Sequence, residues 1–303
     1  MQGLVGYIIV RGFFGLFGLL PHRACVAFFG ALWRLAFLIV PRLRKTAQVN
    51  LELAFPERDA AWRADILRKN AVEMGRLLAD TVRLASLDAT WIREHVEIPA
   101  ITRFGAVAKN RGVLIATGHL GSFELLGHAI GLWGYPLAAI ARRFKSPRLD
   151  RWWTELREAR GNRIIDRTGA FKEMVRSISD GTSVAVLFDQ NVKSNHAVFV
   201  DWFNKPAATT RAFALAAIKT EAPVFVAAMI YRGGDTYRVE SVECDFASIY
   251  GDTLLSDSEK VFRITQEISD HYCRMIREFP EGWFWIHRRW KTRPEGDHSR
   301  LYR

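Results

Sequence analysis

From residue 112 onward, short apolar runs alternate with amphipathic segments, and this alternation limits the possible folds more than any other feature of the chain. Residues 113–117, 137–141, 163–166, 184–188 and 224–230 are apolar runs of strand length. Residues 123–133, 147–160, 170–180 and 208–220 lie between or after them and are expected to be helices. Parallel strands need a long crossover, usually a helix, so strand–helix alternation implies an α/β fold with a mostly parallel sheet flanked by helices. Residues 237–245 alternate with period two, which suits an antiparallel edge strand. Residues 256–279 read as a long helix. Upstream, Phe55-Pro56 marks a break before a helix over 59–86, carried by Trp62, Ile66, Leu67, Met74, Leu77, Leu78 and Val82.

The first 51 residues contain no Asp or Glu, and Arg11, Arg23, Arg34, Arg42, Arg44 and Lys45 supply the charge. The first forty are otherwise apolar and rich in Gly and Phe. A bilayer-spanning helix wants about 20 mostly apolar residues, and the interruptions at Arg11, Pro21-His22-Arg23 and Arg34 leave no uncharged run of that length. Three readings stand: one imperfect spanning helix, two helices lying in or dipping into the interface, or a buried helical hairpin. Arg42, Arg44 and Lys45, with no acid near, fit the positive-inside rule and attraction to anionic headgroups. Residues 1–45 are therefore expected to form an N-terminal hydrophobic helical membrane anchor, and residues 46–303 one α/β domain.

The whole chain carries 43 Lys plus Arg against 32 Asp plus Glu, a net charge of +11, which points to acidic partners: nucleic acid, an anionic membrane, a phosphorylated substrate or an acidic protein. With 49% hydrophobic residues, intrinsic disorder is excluded, and three Cys in 303 residues exclude a disulfide scaffold.

In open α/β sheets, ligands sit at the carboxyl ends of the parallel strands. The first such strand runs into Gly118-His119-Leu120-Gly121-Ser122-Phe123-Glu124. The flanking glycines allow a sharp turn, and Glu124 falls in the first turn of the next helix. A carboxylate on one ring nitrogen of His119 would fix the tautomer and raise the basicity of the other. The competing reading is a structural histidine, with Glu124 favourable at a helix N-terminus. The next strands end in Arg142-Arg143, Asp166-Arg167 and Asp189-Gln190-Asn191. Two guanidinium groups at such an end can hold phosphate or stabilise an oxyanion, or form a solvated loop pair. No Gly-x-Ser-x-Gly elbow, Walker loop or dinucleotide loop is present. Cys25, Cys244 and Cys273 lack local activating partners, and His119 has no other His or Cys nearby at ligand spacing, so neither a covalent nucleophile nor a metal is indicated. Near the C-terminus, Trp283-Phe284-Trp285-Ile286-His287-Arg288-Arg289-Trp290-Lys291 mixes aromatics with cations, suiting nucleic acid or a membrane interface.

These residues, in this order, resemble the late acyltransferases of bacterial lipid A biosynthesis, the lauroyl/myristoyl acyltransferase family. The likeness starts at Asn50-Leu51 with Phe55-Pro56. His119 and Glu124 match the family's His-x-x-x-x-acid motif, and Arg142, Pro147, Leu149 and Asp150 its second block. Gly169, with Gly181 through Asp189-Gln190, resembles the third, 199–210 the segment after it, and 283–291 the Trp-x-x-His-Arg-Arg-x-Lys ending. Departures occur at Arg143, where the family often has Pro, at 193–196, where it often has glycines, and at Trp202-Phe203-Asn204, where it usually has Phe-Phe-Gly. These bear on the acceptor and on chain length more than on the reaction.

The resemblance implies a glycerolipid-acyltransferase-like fold and transfer of a fatty acyl chain from acyl-carrier-protein thioester to a hydroxyl of a phosphorylated glycolipid, a lipid A precursor, at the cytoplasmic face of the inner membrane. On this reading His119 is the general base, Glu124 orients it, and Arg142 with nearby backbone N–H groups stabilises the oxyanion or an acceptor phosphate. Asp189 and Gln190 position the sugar or hold Arg142, and Arg143, Arg167, Arg288 and Arg289 are expected to bind anionic substrate. No cofactor is needed, because a thioester is already activated, and nucleic acid is not expected as a partner. Two other classes stay open: an acyltransferase for a glycerolipid, aminolipid or inositol mannoside, and a membrane-attached nucleic-acid binder.

Overall fold

A computed structural model describes residues 2–302. In chain order the elements are α1 (Gln2–Gly18), α2 (His22–Ile39), α3 (Pro41–Ala54), α4 (Ala60–Arg83), α5 (Ala89–His95), β1 (Val96–Glu97), α6 (Ile101–Ala108), β2 (Leu114–Thr117), α7 (Phe123–Leu132), β3 (Leu137–Ala141), α8 (Pro147–Glu158) and β4 (Arg163–Asp166). They continue with α9 (Ala170–Ser179), β5 (Ser183–Leu187), β6 (Ala197–Trp202), β7 (Lys205–Thr210), α10 (Ala212–Thr220), β8 (Val224–Gly233), β9 (Thr236–Cys244), α11 (Ala247–Gly251) and α12 (Asp257–Glu278).

The main sheet runs β1-β9-β8-β2-β5-β3-β4. From β8 to β4 every neighbouring pair is parallel, so the ends of β2, β5, β3 and β4 share one edge. The expected α/β architecture is therefore present. All four residues of β2 are buried, as expected for a strand covered on both faces. Its alternate residues face opposite layers. Leu114 and Ala116 join Ile178, Phe213, Ile264 and Ile268. Ile115 joins Phe104, Leu125, Ala129 and Leu156 on the other side.

Two expectations change. The segment 208–220 is not one helix: Lys205–Thr210 is β7, paired antiparallel with β6, and α10 starts only at Ala212. Phe203 and Asn204 form its two-residue turn with φ of 53° and 59°, the left-handed pair that matches hairpin twist. Second, β9 is antiparallel to β8, as its alternation implies, but β1 pairs along its outer side, so it is not the edge strand. Of the three readings of the N-terminus, the buried hairpin does not fit, because α1 and α2 keep large apolar side chains exposed. Phe17, Cys25, Val26 and Phe29 pack on Ala79 and Val82 of α4. A Cβ on Gly75 would come within 2.8 Å of the Gly30 backbone, so the α2–α4 crossing depends on glycine. Ile9 and Leu16 of α1, Leu19 after it, and Leu38 and Ile39 of α2 stay exposed, large apolar side chains of the kind that mark contact with a membrane or partner. By length and composition α2 is apolar enough to cross a bilayer.

Candidate active site

The loop after β2 is shaped by two glycines. A Cβ on Gly118 would stand 2.5 Å from the Asp189 carboxyl carbon, so only glycine lets that carboxylate approach. Gly121 has φ of +64°, and a Cβ there would meet Met229 O at 1.9 Å. The Gly121 N–H donates to Gly282 O at 3.0 Å and the Ser122 N–H to Met229 O at 3.0 Å. Between them the loop presents His119, whose side chain is 19% exposed, with its ring against Phe123 and Phe284.

The strand beside β2 supplies the partner. After β5, Asp189 is buried with 2% exposure and accepts three hydrogen bonds. His119 Nδ1 lies 2.8 Å from Oδ1, the His119 backbone N–H donates to Oδ2 at 2.9 Å, and the Trp283 indole N–H donates to Oδ2 at 2.8 Å. Burial alone would raise the Asp189 carboxyl, but the His119 charge and these donors outweigh it and hold it down at about 2. Burial likewise pushes His119 down, and the Asp189 charge and hydrogen bond carry it above its ordinary value. An ionised carboxylate at Nδ1 fixes the proton there and leaves Nε2 as the acceptor. The Gln190 amide nitrogen, 3.2 Å away, donates to that Nε2.

The expected His119–Glu124 pairing is not the one formed. Glu124 turns to α8, where Arg157 Nε donates at 3.0 Å and Nη2 makes a second, shorter bond. The Arg157 guanidinium in turn packs on the Trp153 ring at 5.2 Å. Glu124 acts on His119 only as a distant negative charge that helps to raise it. Asp189, 70 residues away in sequence and expected to position the sugar or hold Arg142, bonds His119 instead. The signal that could have found it is its place at the end of the strand beside β2.

The other expected cations separate. Arg142 is exposed at the end of β3, two strands from β2, with no ion pair or side-chain hydrogen bond among the described residues. Arg143 donates to Thr154 at 2.8 Å and lies 3.4 Å from Asp150 and 3.7 Å from Asp166, so it braces its own loop. Arg167 is exposed at the end of β4. The expected backbone oxyanion donors are not free: the N–H groups of His119, Gly121, Ser122 and Phe123 all have acceptors.

The basic-aromatic tail is a buried strap, and its expected substrate-facing role changes accordingly. Trp283, Trp285, Trp290 and Arg289 are buried, so the run offers no open stacking surface. Arg289 donates to Ala208 O at 2.8 Å and to Thr209, under the Trp202 ring at 4.3 Å, and burial lowers it to about 10. It locks the β6–β7 hairpin and is not placed to meet substrate. Arg288 is half-buried over Tyr302. His287 accepts the Asn191 N–H at Nε2 at 2.9 Å, and burial depresses it to about 4, so it is neutral. Asn50 donates to Trp285 O and His287 O at 2.6 Å, while the Phe284 N–H donates to His119 O at 3.0 Å. The strap thus ties α3 to both loops of the site.

Sequence reasoning also missed Asp80. Buried in α4, it accepts from Ser122, from Tyr237 OH at 2.7 Å and from His22 Nε2 at 2.8 Å. The start of α2 is thereby connected to the loop that carries His119. One potential metal cluster occurs among the described residues: Cys244, Glu267 and His271 bring ligand atoms within 4.8 Å. Cys244 pairs with Val224 at the opposite end of the strands, burial pushes its thiol up to about 12, and Arg274 bonds His271 Nδ1 at 2.7 Å. A protonated thiol beside a guanidinium is a poor cation site.

Residues 3–292 match the family model described as bacterial lipid A biosynthesis acyltransferase. The chain is 27% identical over 289 residues to the lipid A biosynthesis lauroyltransferase of Escherichia coli (strain K12), covering 93% of this chain and 90% of that one. It is 25% identical over 262 residues to the palmitoleoyltransferase of the same organism, covering 85% and 82%. It is also 23% identical over 231 residues to the phosphatidylinositol mannoside acyltransferase of Mycolicibacterium smegmatis (strain ATCC 700084 / mc(2)155), covering 75% and 72%.

Proposed function

Because the chain belongs to the bacterial lipid A biosynthesis acyltransferase family, we propose that it transfers a fatty acyl chain from acyl-carrier-protein thioester to a hydroxyl of a phosphorylated lipid A precursor, at the cytoplasmic face of the inner membrane. The observation that carries the reading is His119: its Nδ1 is fixed by a buried carboxylate, and its Nε2 meets the Gln190 side chain just beyond the carboxyl end of β5. The acceptor hydroxyl replaces Gln190 at Nε2 and gives up its proton there. Its oxygen attacks the thioester carbonyl, the new C–O ester bond forms and the C–S bond breaks. The imidazolium returns the proton to the departing thiolate. Asp189 holds the ring and stabilises its charged form, a role the resemblance had given to Glu124.

Glu124 and Arg157 brace α7 against α8, beside the route to His119. Arg142 is free to reach the developing oxyanion or an acceptor phosphate, and Arg167 lies on the same edge. An acidic carrier protein and a phosphorylated acceptor both suit the basic surface, so turnover should fall as salt rises. The exposed face of α1 and α2 supplies the membrane contact.

The test is incubation with a tetra-acylated lipid A precursor and a panel of acyl-carrier-protein thioesters, read by product mass. One added acyl chain on the precursor supports the reading, and no added chain with any donor defeats it. The mycobacterial relative favours a second acceptor, a phosphatidylinositol mannoside, which belongs in the same panel.

A further inference from the structure

The helices α2, α3 and α4 enclose a cavity of about 400 Å³ that is separate from the His119 loop. This volume falls within the ~300–1,000 Å³ range of small-molecule sites. Each helix contributes one face. Arg34 and Leu38 lie one turn apart on α2, and Arg44, Gln48 and Glu52 follow the same spacing on α3. Ala64 and Leu67 of α4, with Phe37, make an apolar floor.

The rim is cationic. Arg34, Arg44 and Arg63 face Glu52 alone, since Arg68 is already paired with Asp65. Arg34 and Arg44 are exposed, with no ion pair among the described residues. Arg63 is held in place through Nη1, which donates to Arg58 O at 2.5 Å and leans toward Phe55 O at 3.4 Å. That anchoring leaves Nε and Nη2 without intramolecular partners among the described residues. Leu38, which lines the groove, is 70% exposed, and Ile39 beside it 68%; Phe28, Leu32 and Leu35 are further exposed apolar residues of the same helix. A cationic rim over an apolar floor, opening onto an apolar surface, matches one amphiphile: an anion at the rim with a chain running toward the bilayer.

We infer that this groove binds one anionic glycerophospholipid from the membrane, its phosphate among Arg34, Arg44 and Arg63 and an acyl chain over Phe37, Leu38 and Leu67. The site does not depend on the His119 chemistry, and only the source of the lipid rests on the membrane placement proposed above. A concave apolar floor accepts a chain, whereas a flat basic patch would suit an acidic protein. Because α3 also holds the strap through Asn50, an occupant here sits on the frame of the active site.

Native mass spectrometry of the full chain in detergent tests the inference without any turnover measurement. The probes are dihexanoyl-phosphatidylglycerol, dihexanoyl-phosphatidylcholine and inorganic phosphate. One phosphatidylglycerol per chain is expected, preferred about tenfold over phosphatidylcholine and not displaced by equimolar phosphate. Arg34→Ala with Arg44→Ala should weaken it about tenfold, while Lys109→Ala with Lys172→Ala, which removes the same charge elsewhere, should not. Leu38→Gln should weaken it independently of charge. Equal binding of the two lipids, displacement by phosphate, or unchanged binding in the arginine variant would overturn the assignment. Displacement of the lipid by acyl-carrier protein would also overturn it, by making this face a protein dock.

Discussion

Asp189→Asn is the sharpest test of the site, because the carboxylate serves donors on both oxygens. Oδ2 accepts from the His119 backbone and from the Trp283 indole, while Oδ1 faces His119 Nδ1. An amide has one acceptor oxygen. If it serves the two fixed donors, its NH₂ faces Nδ1, which must then accept, and the ring proton moves to Nε2. The base is lost at the atom that needs it. General-base catalysis is worth about 10²–10⁴ in rate, so turnover should fall by that factor. At 1.36 kcal/mol per tenfold, this corresponds to about 3–5 kcal/mol of barrier. The pH profile supplies a second, independent reading. A base must be neutral, so wild-type turnover should rise with pH through a value above the ordinary histidine value, since Asp189 holds His119 up. In the variant that support is gone, burial dominates, and the acidic limb of the residual activity should move to lower pH. The assay is initial-rate acyl transfer at saturating donor and acceptor across about pH 5.5 to 9, with thermal unfolding to confirm the fold. Turnover within threefold of wild type, with the acidic limb unmoved, would refute the dyad.

Glu124→Gln should lower thermal stability by loosening α7 against α8 while leaving the acidic limb nearly in place; a limb shift as large as that of Asp189→Asn would return the orienting role to Glu124. Arg289→Ala should cost about 3 kcal/mol or more, from lost packing and two stranded acceptors in the hairpin, measured by urea denaturation with the precursor assay as control. Gly121→Ala should abolish folding or activity, because its Cβ has no room at Met229 O; a soluble, fully active variant would contradict the loop geometry. His128 and His287 are both depressed to about 4 in the fold. Their contribution is complete above the unfolded value of about 6.5 and is lost as pH falls through about 4, by about 1.4 kcal/mol per unit for each group. A urea midpoint that fails to drop between about pH 6.5 and about 4.5 would show that they are not buried neutral.

The parts of the fold legible in the sequence are those governed by short-range pattern. The runs at 113–117 and 184–188 correspond to β2 and β5 because a buried parallel strand must be apolar on both faces. The hairpin at 197–210 was not legible, since Ala207, Ala208 and Thr209 suit a helix equally well until β6 and Arg289 claim them. The burial of the tail is illegible for the same reason. Aromatics beside cations look the same whether they face solvent or bury Trp202 and Arg289 together.

The site divides along the same line. The sequence alone placed His119, Asp189, Arg142 and Arg167 at strand ends, and parallel pairing then put them on one edge of the sheet. It also identified the family, because ordered blocks survive where overall identity is about a quarter. Only the tertiary structure decided which carboxylate the histidine uses. Glu124 is five residues from His119, yet helix geometry directs it to Arg157, while strand order brings Asp189 to Nδ1. A local motif sets which groups are close along the chain. Which of them meet depends on the parallel pairing of β2 with β5 and on the donors already waiting at each oxygen.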